Sequence, residues 1–188
     1  MRIAVIGATG FVGSAIAAEV TARGHQLTAL TRSGGFDATD PGDQLAGHDA
    51  VIAAVKGDAT AAARALLAAE PARLVFVGGG GSLTTPDGTR LVDLPSFPEQ
   101  YKREALDAAE ALDVFRAAET DVHWSFVSPP PAHLVPGDKA GGYRAEATDV
   151  PLVGADGDSR ITTGDLAAAI LDAVENGSFR QQRFSAAY

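Results

Sequence analysis

Cysteine is absent from this 188-residue sequence, and methionine and tryptophan occur once each. Without cysteine the chain cannot form disulfides, thiolate zinc sites or a cysteine nucleophile. Its four histidines form no group with carboxylates that has the spacing of metal ligands, so we expect no metal site. A chain of this kind suits a reducing compartment.

Long apolar runs and an excess of basic charge are absent as well. No apolar stretch approaches the ~20 residues that a membrane-spanning helix needs. The N-terminal residues reach glycine at position 7 and do not resemble a secretion signal. Fifteen Lys and Arg residues face 24 Asp and Glu residues, and the net charge of −9 disfavours binding to a polyanion. We expect a cytoplasmic protein that binds neither membranes nor nucleic acids, with an oligomeric state that the sequence leaves open.

The residues that are present indicate one α/β domain over residues 1–188. Hydrophobic residues make up 46% of the chain and charged residues 21%, which is enough apolar material for a core. Continuous apolar runs alternate with helical apolar spacing, which predicts a doubly wound parallel sheet buried on both faces. The predicted strands cover residues 3–6, 26–31, 50–55, 73–77, 122–127 and 179–184, and the predicted helices cover residues 11–23, 59–69, 99–118 and 163–175.

Three glycines follow the first predicted strand in the stretch GATGFVG, at positions 7, 10 and 13. Gly7 can form the tight turn, Gly10 lets the backbone approach a diphosphate, and Gly13 allows the next helix to pack closely on the strand. Free amides at the helix N-terminus would face the anion. This strand–turn–helix setting predicts a dinucleotide site, and a turn that serves packing alone is the alternative.

GATGFVG resembles the glycine motif of the atypical or extended short-chain dehydrogenases. Within them it is similar to the NAD(P)H-binding group of NmrA-like, biliverdin reductase B-like and NADH-flavin reductase-like proteins. The resemblance implies a Rossmann fold with a small C-terminal portion that completes a substrate pocket, and a dinucleotide held by Thr9, Phe11 and Val12 together with the three glycines. It continues in order through most of the chain, in the stretches LTRS, GHDAVIAAV, RLVFVGGGGSL, FPEQYKREALDAAEAL and SRITTGDLAAAILD.

The second predicted strand ends in Thr31, Arg32 and Ser33, without the acid that binds the ribose of NAD. A guanidinium flanked by hydroxyls suits a 2′-phosphate, so these residues favour NADP(H) over NAD(H), with an exposed surface arginine as the alternative. The resemblance adds an adenine contact at Asp37, for which a turn-forming role is the alternative. It also implies cofactor contacts along the sheet edge from Ala54, Val55, Gly78, Gly79, Pro129 and Pro130.

Only residues 32–49 connect the second predicted strand with the third. A complete doubly wound fold places a helix, a strand and another helix there, and each parallel crossover needs about a dozen residues. We therefore expect the segment to be truncated or rearranged, or to lack residues. The adenine pocket would be weakened, whereas the phosphate site would be retained.

The tyrosine–lysine pair typical of short-chain dehydrogenases is missing. Lys102 follows Tyr101 directly, and Ala105 occupies the fourth position, where the lysine would share a helix face with the tyrosine. The resemblance implies a catalytic pocket that contains Tyr101, Ser82 and His133 instead. The alternatives for these three residues are packing at a helix start, a polar position in a glycine loop and an exposed loop histidine, respectively.

We expect direct hydride transfer from NADPH to a flat aromatic acceptor such as a flavin or a quinone, because this reaction needs proximity more than an acid–base pair. One alternative is a non-catalytic NADP(H)-sensing regulator of the NmrA type, which the missing tyrosine–lysine pair favours. Such regulators tend to carry a larger C-terminal region than this chain has. A sugar-nucleotide epimerase or dehydratase is the other alternative, and the missing pair and the short C-terminal part both disfavour it.

Overall fold

The computed structural model describes residues 1–188, in which strands and helices alternate along most of the chain. Its helices are α1 (Gly13–Ala22), α2 (Ala59–Ala68), α3 (Glu99–Ala117) and α4 (Thr163–Asn176). Its strands are β1 (Arg2–Ile6), β2 (Gln26–Leu30), β3 (Ala50–Ala53), β4 (Arg73–Val77), β5 (His123–Val127), β6 (His133–Val135), β7 (Arg144–Glu146), β8 (Arg160–Thr162) and β9 (Gln182–Ala187).

Seven strands form one sheet in the order β2-β1-β3-β4-β5-β9-β7. Its neighbouring strands are parallel except at the edge, where β7 runs antiparallel to β9. Strands β6 and β8 pair in parallel as a separate ribbon. Helices α1 and α4 cover one face of the sheet, and α2 and α3 cover the other. This is the doubly wound Rossmann architecture that the sequence predicts.

The strands β1, β3 and β4 are apolar at every buried position because both faces of the sheet are covered. Ile3 and Val5 of β1 pack in the cluster beneath α1 and α4, whereas Ala4 and Ile6 pack in the cluster beneath α2 and α3. Successive side chains of a strand point to opposite faces, so a strand between two helix layers has no solvated side. The continuous apolar runs of the sequence follow from this burial.

Helix α3 is the longest helix, and its two halves differ. Its C-terminal half buries Ala109, Ala111, Leu112 and Phe115 in the core, but no residue before Ala109 is buried. The first half is therefore free to form a wall at the carboxyl edge of the sheet. No helix of the structure is both long enough and apolar enough to cross a membrane.

The predicted bounds agree with the structure to about two residues except at the C-terminal end. The last strand was predicted over residues 179–184, which is wrong, since β9 covers Gln182–Ala187. Phe179 and Gln181 have φ angles of +56° and +53°, so the chain turns there, and the Phe179 ring stacks on Phe184 from the turn. Strands β6, β7 and β8 were not predicted, because three residues each are too few to show a period.

The shortened segment after β2 contains neither a strand nor an α-helix. It forms two 3₁₀ turns, Arg32–Gly34 and Gly42–Leu45, and then enters β3. Phe36 and Leu45 are buried against the same core cluster as Leu30, so the segment closes the end of the sheet with two apolar side chains. The expected truncation is confirmed, and β2 is the edge strand.

Candidate functional site

The glycine turn joins β1, β3 and α1 more closely than any side chain would allow. Gly7 has a φ of +77°, and a Cβ on it would clash with the backbone carbonyl of Ala54, which directly follows β3. A Cβ on Gly13 would clash with the Gly7 carbonyl. The turn is held further by hydrogen bonds from the Gly7 amide to the Leu30 carbonyl and from the Gly10 amide to the Gly7 carbonyl, both at 2.9 Å.

The start of α1 fits an anion. The backbone amides of Phe11, Val12 and Gly13 donate no hydrogen bond within the protein. Val12 provides no side-chain cap, and the first turn of the helix contains no acid. Free amides and the positive end of the helix dipole therefore meet in one place, as a dinucleotide diphosphate requires. Thr9 lies on the same turn and is exposed.

The end of β2 presents Arg32 to solvent beside two hydroxyls. Thr31 caps the following 3₁₀ turn by accepting a hydrogen bond from the Gly34 amide at 3.1 Å, and its Oγ1 lies 3.2 Å from Ser33 Oγ. Arg32 is exposed and takes part in none of the ion pairs of the structure. Its guanidinium is therefore free to bind a phosphate group.

Asp37 forms a turn in the shortened segment. One of its carboxylate oxygens accepts hydrogen bonds from the Thr39 backbone amide and from the Thr39 hydroxyl, each at 2.8 Å. The backbone bond first, and then the hydroxyl bond, hold the pKa of Asp37 below its usual value. This is the turn-forming role, and an adenine contact through the second carboxylate oxygen stays a prediction.

A cavity of about 770 Å³ lies at the carboxyl edge of the sheet, beside the first half of α3. Val55 lines this cavity and directly follows Ala54, whose carbonyl contacts Gly7 of the glycine turn. Of the other residues predicted from the sequence, Gly78, Gly79, Pro129, Pro130 and Tyr101 line it. The sequence reasoning missed its apolar wall, which consists of Leu91, Leu94, Phe97, Pro98 and Leu134.

Packing explains the glycines that follow β4. A Cβ on Gly78 would clash with the Phe126 ring, one on Gly80 would lie 2.6 Å from Pro131 Cα, and one on Gly81 would lie 2.8 Å from Ala105 Cβ. The glycine loop thus fits between α3 and the proline segment with no space for a side chain at Gly78, Gly80 or Gly81. The proximity of Gly78 and Gly79 to a nicotinamide stays a prediction.

Ser82 is not part of the cavity wall. Its side chain is buried, and its Oγ and carbonyl oxygen accept hydrogen bonds from Arg183 Nη1 at 3.1 and 2.9 Å. Arg183 is 5% exposed and also pairs with Asp149. Burial lowers the pKa of Arg183, and the Asp149 carboxylate opposes that shift. Arg183 was missed, although a lone arginine within the apolar stretch RFSAA is a visible signal of a buried ion pair.

His133 also lies outside the cavity. Its neighbours Ala132 and Leu134 line the cavity, whereas the exposed His133 ring pairs with Asp158, with Nδ1 and Oδ1 2.7 Å apart. That bond lowers the pKa of the Asp158 carboxyl. Of the three catalytic candidates, the structure therefore brings only Tyr101 to the cavity. The Tyr101 side chain is at the rim, 56% exposed, and Lys102 pairs with Glu99 instead of supporting it.

Two carboxylates of α3 line the cavity, and they differ in their partners. Asp107 accepts hydrogen bonds from the amides of Ala59 and Thr60 at 2.7 and 3.1 Å, so it caps the N-terminus of α2 from a distant part of the chain. Glu104 has a single partner, Lys56, at 4.0 Å, and both side chains are exposed. Nowhere in the structure do three or more His, Asp or Glu side chains form a group that could hold a metal ion.

A family model described as NAD(P)H-binding matches residues 36–177. The chain belongs to this NAD(P)H-binding family. The matched range begins after the glycine turn, so the turn is an independent observation that also points to a nicotinamide dinucleotide. The free amides, the uncapped helix and the absence of an acid there show that the residues present fit that group.

Similar proteins cover the whole chain. YwnB of Bacillus subtilis strain 168, described as uncharacterized, is 32% identical over 211 residues that include 98% of this chain and 97% of YwnB. Because that alignment is longer than this chain, YwnB contains residues that this chain lacks. The similarity therefore extends over the glycine turn as well as over the range matched by the family model.

Three solved structures have the same fold at 100% coverage of this chain. A Burkholderia pseudomallei protein named as a proposed exported protein has 37% identity, full coverage of its own chain and a TM-score of 0.89. A Streptococcus pneumoniae protein named as a proposed NADH-flavin reductase has 30% identity, 99% coverage and a TM-score of 0.88. A Bacteroides thetaiotaomicron protein named as a proposed epimerase has 32% identity, 96% coverage and a TM-score of 0.87. Together these comparisons support an NAD(P)H-dependent oxidoreductase of the short-chain dehydrogenase type.

Proposed function

We propose that this NAD(P)H-binding protein is an NADPH-dependent reductase of flat aromatic acceptors such as quinones or flavins. The observation that carries the proposal is an apolar cavity of about 770 Å³ next to the glycine turn. Val55 lines this cavity, and the carbonyl of the preceding residue, Ala54, contacts Gly7 of the turn. An acceptor ring in this cavity would lie beside a dinucleotide held by the turn, at the sheet edge where open α/β sheets bind their ligands.

Residues of this chain would hold the cofactor at three places. The amides of Phe11, Val12 and Gly13 would bind the diphosphate, because they have no partner within the protein. Arg32, with Thr31 and Ser33, would bind a 2′-phosphate and so favour NADP(H). The edge formed by Gly78, Gly79, Pro129 and Pro130 would lie along the nicotinamide. When bound, the reduced nicotinamide supplies a hydride, and one proton from solvent completes the two-electron reduction of the acceptor.

The protein contributes position and exclusion of water. Leu91, Leu94 and Phe97 provide an apolar wall for the acceptor ring, and Pro129 and Pro130 provide a stiff one. Such a wall holds the ring near the cofactor and increases the rate by proximity. The Tyr101 hydroxyl at the rim would donate a hydrogen bond to a ring oxygen and stabilise the negative charge that develops there.

A regulator that binds NADP(H) without catalysis is the second candidate. The observation that favours it is the lack of a histidine, lysine or arginine among the side chains that line the cavity. Histidine and lysine are frequent general acid–base groups, and the cavity offers only Tyr101, Glu104 and Asp107 for such a role. Hydride transfer to a ring does not depend on it, so the reductase accounts for the apolar cavity, which the regulator leaves without a role.

The experiment follows NADPH and NADH oxidation by nicotinamide absorbance, with riboflavin, FMN and a simple quinone as acceptors. We expect turnover with a preference for NADPH. In Arg32→Ala we expect kcat/KM to fall about tenfold or more for NADPH and to stay unchanged for NADH. The control is Arg64→Ala, which removes an exposed arginine that lies on α2, and it should change kcat/KM for neither NADPH nor NADH. Binding of NADP(H) without turnover on any acceptor would favour the regulator.

We propose a cytoplasmic location for this reductase, because reduced nicotinamide cofactors are supplied there. The similar Burkholderia pseudomallei protein is named as a proposed exported protein, which is a different location from the one proposed here. Fractionation of cells that express the full chain, with the protein followed by antibody, tests the location. Recovery outside the cytoplasmic fraction would contradict it.

A further inference from the structure

We propose that the acceptor is an uncharged ring, and that Glu104 makes the cavity reject acceptors with an anionic group on the ring. The inference rests on the proposed reductase function and narrows its substrate class. It follows from the distribution of charge around the cavity.

The lining contains no lysine, arginine or histidine side chain. Most of the wall is made by apolar side chains and by glycines, as described above. An anionic group that enters such a space loses its hydration and finds no cationic partner among the lining side chains. A neutral ring gains from the same transfer, because apolar surface is removed from water on both sides.

The two carboxylates in the wall are not equivalent. The negative charge of Asp107 is satisfied by the amides at the start of α2, as the bonds from Ala59 and Thr60 show. Glu104 has no comparable partner. Its distance of 4.0 Å to Lys56, with side chains that are 59% and 79% exposed, is that of a weak surface pair. Glu104 therefore adds a poorly compensated negative charge to the cavity.

Glu104 and Tyr101 lie three residues apart on α3, so they are on the same face of the helix. Both line the cavity. A ring held against Tyr101 would consequently be close to the Glu104 carboxylate. The chain as a whole has a net charge of −9, and a bound dinucleotide would add further negative charge at the adjacent turn.

A quinone satisfies these conditions before and after reduction. A neutral quinone that takes up one hydride and one proton becomes a neutral hydroquinone with one hydrogen on each oxygen, so the cavity holds no net ligand charge at either end of the reaction. An acceptor with a sulfonate on the ring brings a full negative charge beside Glu104 in both states. The cavity should distinguish the two mainly by this charge.

The test compares 1,4-naphthoquinone with its 2-sulfonate, and riboflavin with FMN, in the full-length wild-type protein and in two variants. Glu104→Gln removes the charge with little change in shape, and Glu104→Lys reverses it. Because the same acceptors are used with every protein, their intrinsic reactivities cancel when the ratio of kcat/KM values, neutral over anionic, is compared between proteins.

We expect the kcat/KM ratio of 1,4-naphthoquinone over its sulfonate to fall about fivefold in Glu104→Gln, because this variant removes a charge of the same sign as the sulfonate. The ratio should fall by more in Glu104→Lys, because this variant reverses that charge. The ratio for riboflavin over FMN should fall in the same order but by less, because the phosphate is at the end of a flexible chain. Glu110→Lys is the matched control: it makes the same charge change on α3, and its residue lines a different surface pocket. Its ratio should equal that of the wild type. Unchanged ratios in both Glu104 variants would overturn the inference.

A binding measurement separates failure of this inference from failure of the proposed function. Quenching of flavin fluorescence with NADP⁺ present gives the dissociation constants of riboflavin and FMN without turnover. If no acceptor is reduced but riboflavin binds more tightly than FMN, and Glu104→Lys reverses that order, the charge preference is supported and the reductase is wrong. If neither flavin nor quinone binds to the wild type, the inference is overturned as well.

Discussion

The glycine turn and the cavity beside α3 are neighbours at one edge of the sheet, but they are built differently. The turn consists of backbone atoms within seven consecutive residues, where Gly7 and Gly13 touch carbonyl groups directly. The cavity consists of side chains from β3 to β6 and the loops between them, brought together by α3. The glycine turn depends on positions that have no side chain, whereas the cavity depends on which side chains the fold packs together. Substitutions should therefore affect the two sites in different ways.

The largest effect is expected from Gly13→Ala. The new side chain would clash with the Gly7 carbonyl, so β1 and α1 would have to separate. We expect the free energy of unfolding to fall by about 3 kcal/mol or more, with loss of NADP(H) binding. Urea denaturation and a fluorescence titration with NADPH measure the two quantities.

Gly79→Ala is the matched variant on the cavity side. Gly79 has an ordinary φ of −123°, and its Cβ would lie 3.6 Å from Ala108 Cβ, a normal contact. We expect a loss of less than about 1 kcal/mol. Equal losses in the two variants would remove the distinction between a backbone site and a side-chain site.

An effect smaller than that of the Gly13 variant is expected from Arg183→Met, which acts on the cavity side. The variant loses the hydrogen bonds from Arg183 to Ser82 and the pair with Asp149, although Asp149 keeps its bond with Arg116. We expect a loss of about 2 kcal/mol in stability. Because Ser82 continues the glycine loop, KM for the acceptor should rise while the dissociation constant of NADP⁺ stays the same. In the exposed Arg180→Met control, both should stay at wild-type values; a weaker NADP⁺ affinity in Arg183→Met would contradict the separation of the two sites.

Asp107→Asn should cost about 1 kcal/mol at pH 7, as expected for a helix cap. Burial raises the pKa of Asp107, but the amides of Ala59 and Thr60 lower it by more, so its folded pKa is below the unfolded value of ~3.9. The charged carboxylate therefore contributes stability above the unfolded pKa, and this contribution is lost as the pH falls through the folded pKa. Denaturation at pH 7 and at successively lower pH should show that the difference from wild type shrinks as the pH falls. Asp113→Asn on the same helix is the control, and a difference that is independent of pH would speak against the charge as its cause.

The smallest effect is expected from Tyr101→Phe. The ring and its packing are retained, and one hydrogen bond to the acceptor oxygen is lost, so kcat should fall about fivefold. The dissociation constant of NADP⁺ should not change. Tyr143→Phe removes a hydroxyl that bonds to Asp172 outside the cavity and should leave kcat unaltered. A wild-type kcat in Tyr101→Phe would exclude its hydroxyl from the reaction.

Much of the fold could be predicted because local and tertiary requirements agree in it. Strands covered on both faces are mostly apolar, and Gly24 follows a helix whose buried residues include Ile16 and Val20, so these elements can be read from residue order. The truncated segment could also be predicted from its length alone. The start of β9 could not, because Phe179 is apolar for packing on Phe184 while its backbone is in a turn.

The glycine turn was readable from residue order because it consists of consecutive backbone groups, and only glycine permits their approach. The directions of Ser82 and His133 were decided by tertiary structure, since Arg183 and Asp158, which hold them, are 101 and 25 residues away along the chain. The apolar wall of the cavity and the isolated charge of Glu104 arise in the same way. A side chain's partner depends on which distant segments the fold brings beside it, and no local spacing records that.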